Sequence, residues 1–394
     1  MSYSVSNRWI SIWGGILLPF FLISVAWAQE SGSRFSFDYS GYIKELGQLA
    51  VGSDFDPVRY DNILHHRLET DWDFTSELSM QVDVRNRLLA GYTIKNQPGY
   101  ADLLADDPGY VDLSWVWLES DQALMHTQID RLQASWIRGN WEVHAGRQRL
   151  NWSRTFVWSP NDLFNNYAYL NFDYEERPGT DAIRAQYNWS YASGLELAYQ
   201  PGDTYAQTVL AAMWKGNTGS YDLQSFAAWY HNRWALGGAI SGYLGDASLK
   251  SELSLFEADP QRFDRNVTIT ATLGLDYMFA NSLYLRSELL YNGGHSQTQS
   301  PTAQLLHPPA ADNLFISKTA GFLDASYPVH PLVNASFSTM VSFDQSLFIF
   351  IPSISVSVTE NLDFLFLSQV LQGEMLTDAT DTPTFLYARL TWSY

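Results

Sequence analysis

The chain contains no cysteine. Disulfides, thiolate nucleophiles and cysteine metal sites are therefore excluded together. After residue 28 it also lacks any run of about 20 apolar residues, the length a helix needs to cross a bilayer. Charge is scarce: only 16% of residues are Asp, Glu, Lys or Arg, and acids outnumber bases to give a formal net charge of −19. That sign argues against nucleic acid as a partner. There is no internal repeat, no glycine-rich phosphate loop, no G-x-S-x-G and no metal-ligand spacing among the histidines. Neither a metal nor a cofactor is expected.

Aromatic residues, by contrast, are plentiful. They form 15% of the chain, with 15 Trp and 23 Tyr. Such an excess suits the two girdles at a bilayer interface. The N-terminus has the form of an export signal. Arg8 is the only charged side chain before a mostly apolar run from Ile10 to Val25, and Ala26-Trp27-Ala28 puts small residues at the positions a signal peptidase reads. The run is short and broken by Gly14, Gly15 and Pro19, so it is not a spanning helix. Residues 1–28 are expected to be a signal peptide and residues 29–394 a single domain, since no composition boundary follows.

Period-two alternation runs through that domain. Leu78, Met80, Val82 and Val84 fall on one face; Ser79, Gln81, Asp83, Arg85 and Arg87 fall on the other. Leu64, Leu68, Trp72 and Phe74 oppose Arg67, Glu69, Asp71 and Asp73 in the same way. The last nine residues place Leu386, Ala388, Leu390, Trp392 and Tyr394 opposite Arg389, Thr391 and Ser393. Alternation predicts half-buried strands. A soluble aromatic-rich sandwich would also alternate. The export signal, the terminal aromatic strand and the strand count favour a barrel whose apolar faces meet lipid and whose polar faces meet a wet interior. The expected fold is all-β: a transmembrane antiparallel up-and-down β-barrel of about 18 strands, with about 16 as the next count.

Turn signals give strands at 34–48, 61–74, 77–90, 127–138, 141–152, 181–192, 194–201, 204–215, 220–230, 234–244, 247–257, 267–280, 283–292, 314–328, 332–343, 346–358, 361–373 and 383–394. Long external loops then fall at about 91–126, 153–180 and 293–313. Tight turns alternate with them at the periplasmic end. Acids gather in the loops, at Asp54, Asp56, Asp102, Asp106, Asp107, Asp378 and Asp381, where they are solvated or meet divalent cations and lipopolysaccharide. Bulges are expected at Pro352, which lacks a ladder donor, and at Gly146, where the alternation slips.

The densest segment runs from Gly146 to Arg184: GRQRLNW, then a long aromatic and acidic loop, then DAIR from Asp181. This element resembles one found in bacterial outer-membrane porin-like proteins, and is similar to that of the alginate-export-like barrels. The resemblance covers about a tenth of the chain. It implies a channel in the bacterial outer membrane and names no solute.

In physical terms, a loop of this length without its own structure is functional more often than not. Its aromatics, among them Phe156, Trp158, Phe164, Tyr169 and Phe172, are costly to leave in water. They predict a loop folded into the barrel, which narrows the lumen and carries Asp162, Asp173, Glu175 and Glu176 to the channel. The competing reading is a loop packed over the mouth. Arg67, Arg85, Arg87, Arg131, Arg184 and Arg389 all take inward positions and form a basic arc once the barrel closes. Facing an acidic loop, such an arc sets up a transverse field that discriminates solutes by charge. Alternatively the arginines pair with Glu69, Asp71, Asp73 and Asp83 and stiffen the wall.

Chemistry has little support. A hairpin turning at Gly139-Asn140 sets Ser135 opposite His144, but no third orienting group is evident. His65 and His66 alternate faces and do not act as a pair. No catalytic residue is assigned. The expected activity is passive diffusion of small hydrophilic solutes. Polysaccharide export, a loop-plugged adhesin or assembly barrel, and an outer-membrane lipid hydrolase are the alternatives. The number of copies in the membrane is left open.

Overall fold

The computed structural model describes residues 35–52, 58–165, 169–170, 172, 179–258, 267–295, 309–373 and 384–394. Its strands are β1 (Ser36–Val51), β2 (Arg59–Asp73), β3 (Leu78–Gly91), β4 (Ser114–Glu119), β5 (Ala123–Arg138), β6 (Trp141–Gln148), β7 (Thr180–Ser190), β8 (Ser193–Gln200), β9 (Val209–Thr218) and β10 (Tyr221–Tyr230). They continue as β11 (Arg233–Leu244), β12 (Ala247–Glu257), β13 (Val267–Met278), β14 (Tyr284–Asn292), β15 (Thr319–His330), β16 (Val333–Ser342), β17 (Leu347–Thr359), β18 (Leu362–Gly373) and β19 (Thr384–Ser393).

Each strand pairs antiparallel with its neighbours, and β19 returns to β1 with Tyr42 opposite Ser393 and Val51 opposite Thr384. β4 pairs only with β5, while β5 pairs directly with β3 and β6. The ring is therefore a closed barrel of 18 strands with β4 as a flap on one rim. Closure pairs both edges of the 18 ring strands, which a sheet in lipid requires. Both β1 and β19 begin or end at the rim that holds the tight turns. Gly139 sits there with φ 60, a left-handed conformation that suits a two-residue hairpin. The long connections all emerge at the opposite rim, as the alternation of turn lengths predicts.

The outer surface is apolar. Leu64, Leu197, Leu253, Leu273 and Leu289 are 43, 50, 45, 46 and 53% exposed. Trp136, Trp141, Trp189 and Trp392 ring the turn rim, and Trp115, Trp117, Trp234 and Tyr291 ring the loop rim, all of them exposed. So large an apolar surface marks contact with something other than water.

The interior departs from the expected wholly polar lining. On the side of β7 to β12, Ala182, Ala198, Met213, Phe226, Tyr230 and Phe256 pack with Leu150, Trp152 and Leu163 of the connection after β6. On the side of β14 to β18, Phe322, Met340, Ile349, Ile351 and Leu367 pack with Val157 and Trp158 of the same connection. A folded-in loop gives inward side chains a dry partner, so these positions need not be polar.

Local details also differ from expectation. The connection 91–126 holds two short helices, Tyr92–Asn96 and Tyr100–Ala105, and the flap β4; β5 starts at Ala123 rather than at 127. β6 stops at Gln148 rather than 152, because Leu150 and Trp152 turn into the barrel. Neither expected bulge forms. Pro352 faces out and keeps register with Phe337, and the ladder toward β18 merely skips it. Gly146 keeps register on both sides but adopts φ 116, and a Cβ there would lie 2.1 Å from the Leu132 carbonyl oxygen. The true bulge is in β5, where Asp83 and Val84 face Arg131 and Ile129 and leave Asp130 as the extra residue. Asp130 and Arg131 therefore both point inward from consecutive positions. The segment 1–28 lies outside the described residues, as do Asp54, Asp56, Asp378 and Asp381.

Candidate pore constriction

Two elements meet inside the barrel: the connection after β6 and the inner wall of β19, β1, β2, β3 and β5. The connection leaves β6 at Gln148 and follows the opposite wall. Trp152 Nε1 donates to Glu196 Oε1 at 2.8 Å. The backbone N–H groups of Thr155 and Asn161 donate to the Glu252 carboxylate at 3.0 Å each, and that of Arg154 joins them. The N–H groups of Phe156, Val157 and Trp158 converge on Glu288 at 2.7, 3.2 and 2.8 Å. Ser254 Oγ donates to the Pro160 carbonyl at 2.8 Å. Further on, the Tyr169 ring meets Phe322 edge-on at 5.3 Å, and Phe172 meets Tyr387 at 5.6 Å.

Glu196, Glu252 and Glu288 are each 1% exposed. A buried carboxylate is tolerated only when donors surround it. Here six loop N–H groups, which the loop cannot satisfy itself, are shared between two of these carboxylates. The loop is thus tied along the wall from β8 to β19 and does not merely cover the mouth. Gly179, at its return, lies so close to the Asp130 carbonyl oxygen that a Cβ would come within 2.4 Å.

The facing wall is cationic. Register aligns Lys44, His65, Arg87 and His126 across β1, β2, β3 and β5. The adjacent inward row is Tyr42, Arg67, Arg85 and Gln128, and the next is Ser40, Glu69, Asp83 and Arg131. Arg389 stands opposite Leu46 on the other side of β1. Arg67, 1% exposed, donates to Glu69 at 2.6 Å, Asp83 at 2.9 Å and Asp130 at 2.6 Å. Arg131 Nη1 donates to the Asp130 carbonyl at 2.6 Å. Arg184 holds Glu196 through two bonds of 2.8 and 3.1 Å. Arg87 Nη2 lies 3.1 Å from His126 Nδ1, and Ser114 Oγ lies 2.7 Å from Nε2. An arginine only donates, so Nδ1 accepts and the Nε2 proton goes to Ser114, an assignment drawn from the partners.

The inward alternation of the sequence does bring the expected arginines to one wall. Arg67, Arg85, Arg87, Arg131 and Arg389 lie together; Arg184 lies farther round, bonded to Glu196. Asp83 belongs to the arginine cluster, as the pairing alternative holds. Asp162 needs correction. It is 0% exposed and accepts the N–H of Asn165 at 3.3 Å, so it fixes the loop's own turn and does not reach the channel. Asp173, Glu175 and Glu176 lie outside the described residues.

Several functional side chains are not evident from alternation. Lys44 hides in a strand whose apolar face dominates its pattern, and Asp130 is hidden by the bulge. Glu196, Glu252 and Glu288 do carry a signal: each is the one inward acid of its strand, in SGLELAYQ, ASLKSELSLFE and YLRSELLYN, although Lys250 and Arg286 precede two of them on the same face. Lys250 and Arg286 turn instead to Asp276 and Asp324, so these carboxylates take their donors from the loop. Arg147, directly after the slip in alternation at Gly146, binds Asp181 through two bonds of 2.9 Å and Asp107 at 2.6 Å, fastening the connection after β3 to the wall.

The Ser135 hydroxyl lies 2.8 Å from His144 Nδ1, but the nearest orienting carboxylate, Glu142, stands 4.0 Å from the other ring nitrogen, beyond hydrogen-bond reach. Among the described residues no group of three or more His, Asp or Glu is placed to hold a metal ion.

No family model matches the chain, and no curated protein matches it. Solved structures do. OccAB2 of Acinetobacter baumannii is 11% identical, covers 91% of this chain and 98% of its own, and superposes with a TM-score of 0.55. OccK11 (OpdR) of Pseudomonas aeruginosa is 9% identical over 91% of this chain and 95% of its own, at 0.54. Pseudomonas aeruginosa OpdK, solved with vanillate, is 9% identical over 91% and 98%, at 0.53. At such identities the likeness is one of fold: this chain is built as the Occ outer-membrane porins are, on a closed 18-stranded barrel.

Proposed function

We propose that the protein is a bacterial outer-membrane channel for passive diffusion of small hydrophilic solutes, with its selecting surface on the basic wall. One observation carries this reading: the connection after β6 is bonded along one inner wall, and the wall it faces is rich in cations. In the inward rows from Ser40 to Leu46, Lys44, Arg67, Arg85, Arg87, Arg131 and Arg389 stand among Glu69, Asp83 and Asp130, a local excess of three positive charges, while Asp38, Asp71 and Asp73 follow on the same inner face toward the turn rim. A narrow passage between low-dielectric walls focuses that field. At this height the wall therefore favours anions although the whole chain is acidic. Asp173, Glu175 and Glu176 are proposed as the acidic side of the field, since the described residues on either side of them are Phe172, against Tyr387, and Gly179, beside Asp130.

Residues 1–28 are proposed to direct export, and the acidic loops to meet lipopolysaccharide through divalent cations. The GRQRLNW and DAIR segments support polysaccharide export as a second reading, but a loop tied inside the barrel leaves little room for a polymer. A small aromatic carboxylate fits the basic wall better, and vanillate, bound by OpdK, is a suitable probe. Proteoliposome swelling should be faster with small carboxylates than with neutral sugars of equal size. Replacing Arg85 and Arg87 by Ala should remove that preference. Equal rates before and after the change would sink the assignment of this wall, and absence of any swelling would sink the channel itself.

A further inference from the structure

The outward rows are apolar on β18, with Leu362, Phe364 and Phe366, and on β19, with Leu386, Ala388, Leu390 and Trp392. The next strand breaks the pattern. On β1 the outward positions run Gly41, Ile43, Glu45, Gly47 and Leu49, so a carboxylate stands in the middle of the row. Asn62 Nδ2, on β2, donates to Glu45 Oε1 at 3.3 Å and to the Tyr60 hydroxyl at 3.2 Å. Glu45 is exposed, and among the described residues no cation pairs with it. Beside it a groove of about 360 Å³ opens on the outer face. Register explains the groove. Across β18, β19, β1 and β2 one row reads Phe366, Ala388, Gly47 and Asn62, so two small residues stand side by side between larger ones. Leu49, Leu386 and Leu390 also line it, and the slot is apolar away from its Glu45–Asn62 end.

Depth decides what this carboxylate can meet. Ile43, two positions nearer the turn rim, pairs with Trp392 of the exposed girdle. Glu45 therefore stands about 7 Å along the strand from that girdle. Tryptophan belts sit at the level of lipid headgroups. A charge on the lipid face is costly at the bilayer midplane, and the cost falls toward the interface. At this depth a carboxylate is within reach of a headgroup, while the slot beyond it lies among acyl chains. We propose that the groove binds a phospholipid of the periplasmic leaflet whose headgroup carries a primary ammonium. The ammonium pairs with Glu45, and an acyl chain lies over Gly47 and Ala388 against Phe366, Leu386 and Leu49. Charge selects this occupant. A carboxylate repels a purely anionic headgroup, whereas an ammonium brings three donors to an acceptor that Asn62 alone leaves half satisfied. The order of the groups matches as well: the acid lies at the headgroup end, and the apolar slot runs from it toward the bilayer centre.

This inference rests on the outer face being a membrane face, and its test separates the two. The full chain, purified in mild detergent, is given phosphatidylethanolamine or phosphatidylglycerol with identical acyl chains and weighed by native mass spectrometry. The wild type should retain the first about tenfold better than the second, the ratio that one charged hydrogen bond supplies. Glu45→Gln should lose that preference. Gly47→Leu should retain less of either lipid, because the new side chain fills the slot; a Cβ there comes no nearer than 3.7 Å to Tyr60, so the barrel still closes. A carbodiimide, which joins a carboxylate to a primary amine, should attach the ethanolamine lipid to the peptide that holds Glu45. Equal retention of the two lipids by the wild type overturns the proposal, as does an undiminished preference in folded Glu45→Gln. A carbodiimide link from Glu45 to protein, whether a second copy or another chain, overturns it as well. Recovery of the chain in the detergent-free soluble fraction would instead overturn the membrane reading.

Discussion

Glu288 is the sharpest lever on the constriction. Its carboxylate accepts three consecutive N–H groups, those of Phe156, Val157 and Trp158, and it is 1% exposed. Glu288→Leu removes all three acceptances and leaves the donors facing a methyl surface. An unsatisfied buried donor costs about 1–3 kcal/mol, so the attached state loses about 3–9 kcal/mol. Against this stands apolar burial: Val157 and Trp158 are each 4% exposed in the packed loop. Burial of such side chains contributes about 1.5–3 kcal/mol apiece, or about 3–6 kcal/mol together. The two ranges overlap, so attached and detached loops become comparably populated. Single-channel recording should then show the variant switching between the wild-type level and a larger one. Glu288→Gln keeps an acceptor oxygen and should switch less often. If Glu288→Leu gives one steady level of wild-type size, the clamp does not hold the loop.

Other perturbations follow from the same contacts. Arg67→Ala strands Asp83 and Asp130, which are 2% exposed, and breaking a buried pair in this way costs about 3–5 kcal/mol; the folded barrel should lose its heat resistance on gels at a visibly lower temperature, and Arg67→Lys should recover only part of it. Gly41→Val should hinder closure of the barrel, because even a Cβ there would lie 2.2 Å from the Arg67 carbonyl oxygen and 2.6 Å from the Tyr394 hydroxyl; the yield of heat-resistant barrel in refolding trials should fall, and an unchanged yield would count against the Gly41–Tyr394 seal. Asp344, in the turn between β16 and β17, is pushed up by burial but held below its usual 3.8 by the N–H groups of Thr319 and Lys318. A depressed carboxyl stabilises the fold above its unfolded value and ceases to do so as pH falls through the folded one. Melting of the loop rim should therefore steepen below about pH 4, and Asp344→Asn should flatten that dependence when hydrogen exchange is followed against pH.

The wall is legible because its code is local. Period two at Leu78–Arg87 and at Leu386–Tyr394 fixes which side chains face out, and the alternation of short and long connections fixes the direction of each strand. Alternation alone is therefore enough to place Arg85 and Arg87 on the inner surface. The inner loop is legible only in part. Its aromatic content requires a dry environment, which correctly puts it inside. Its anchors, Glu252 and Glu288, lie about 90–130 residues away in sequence, and no local rule connects a carboxylate on β12 or β14 to N–H groups after β6. The same distance explains Asp162, which a charge count sends to the channel and packing retains within the loop. Parity fails wherever a bulge intervenes, and so the bulge of β5 conceals Asp130 while leaving Arg131 inward for an unforeseen reason. The apolar inner face of β14 to β18 is unreadable for a related cause: without the loop in place, leucine and isoleucine on a lumen wall look like errors of register.

The proposed function rests on a basic wall, facing a tied-down loop, that selects what crosses the barrel. The reversal potential of the purified protein in a planar bilayer under a potassium chloride gradient tests this most directly. A potential with the sign that chloride passage requires is the predicted result. A potential of potassium sign, or a bilayer that stays non-conducting after insertion, would contradict it.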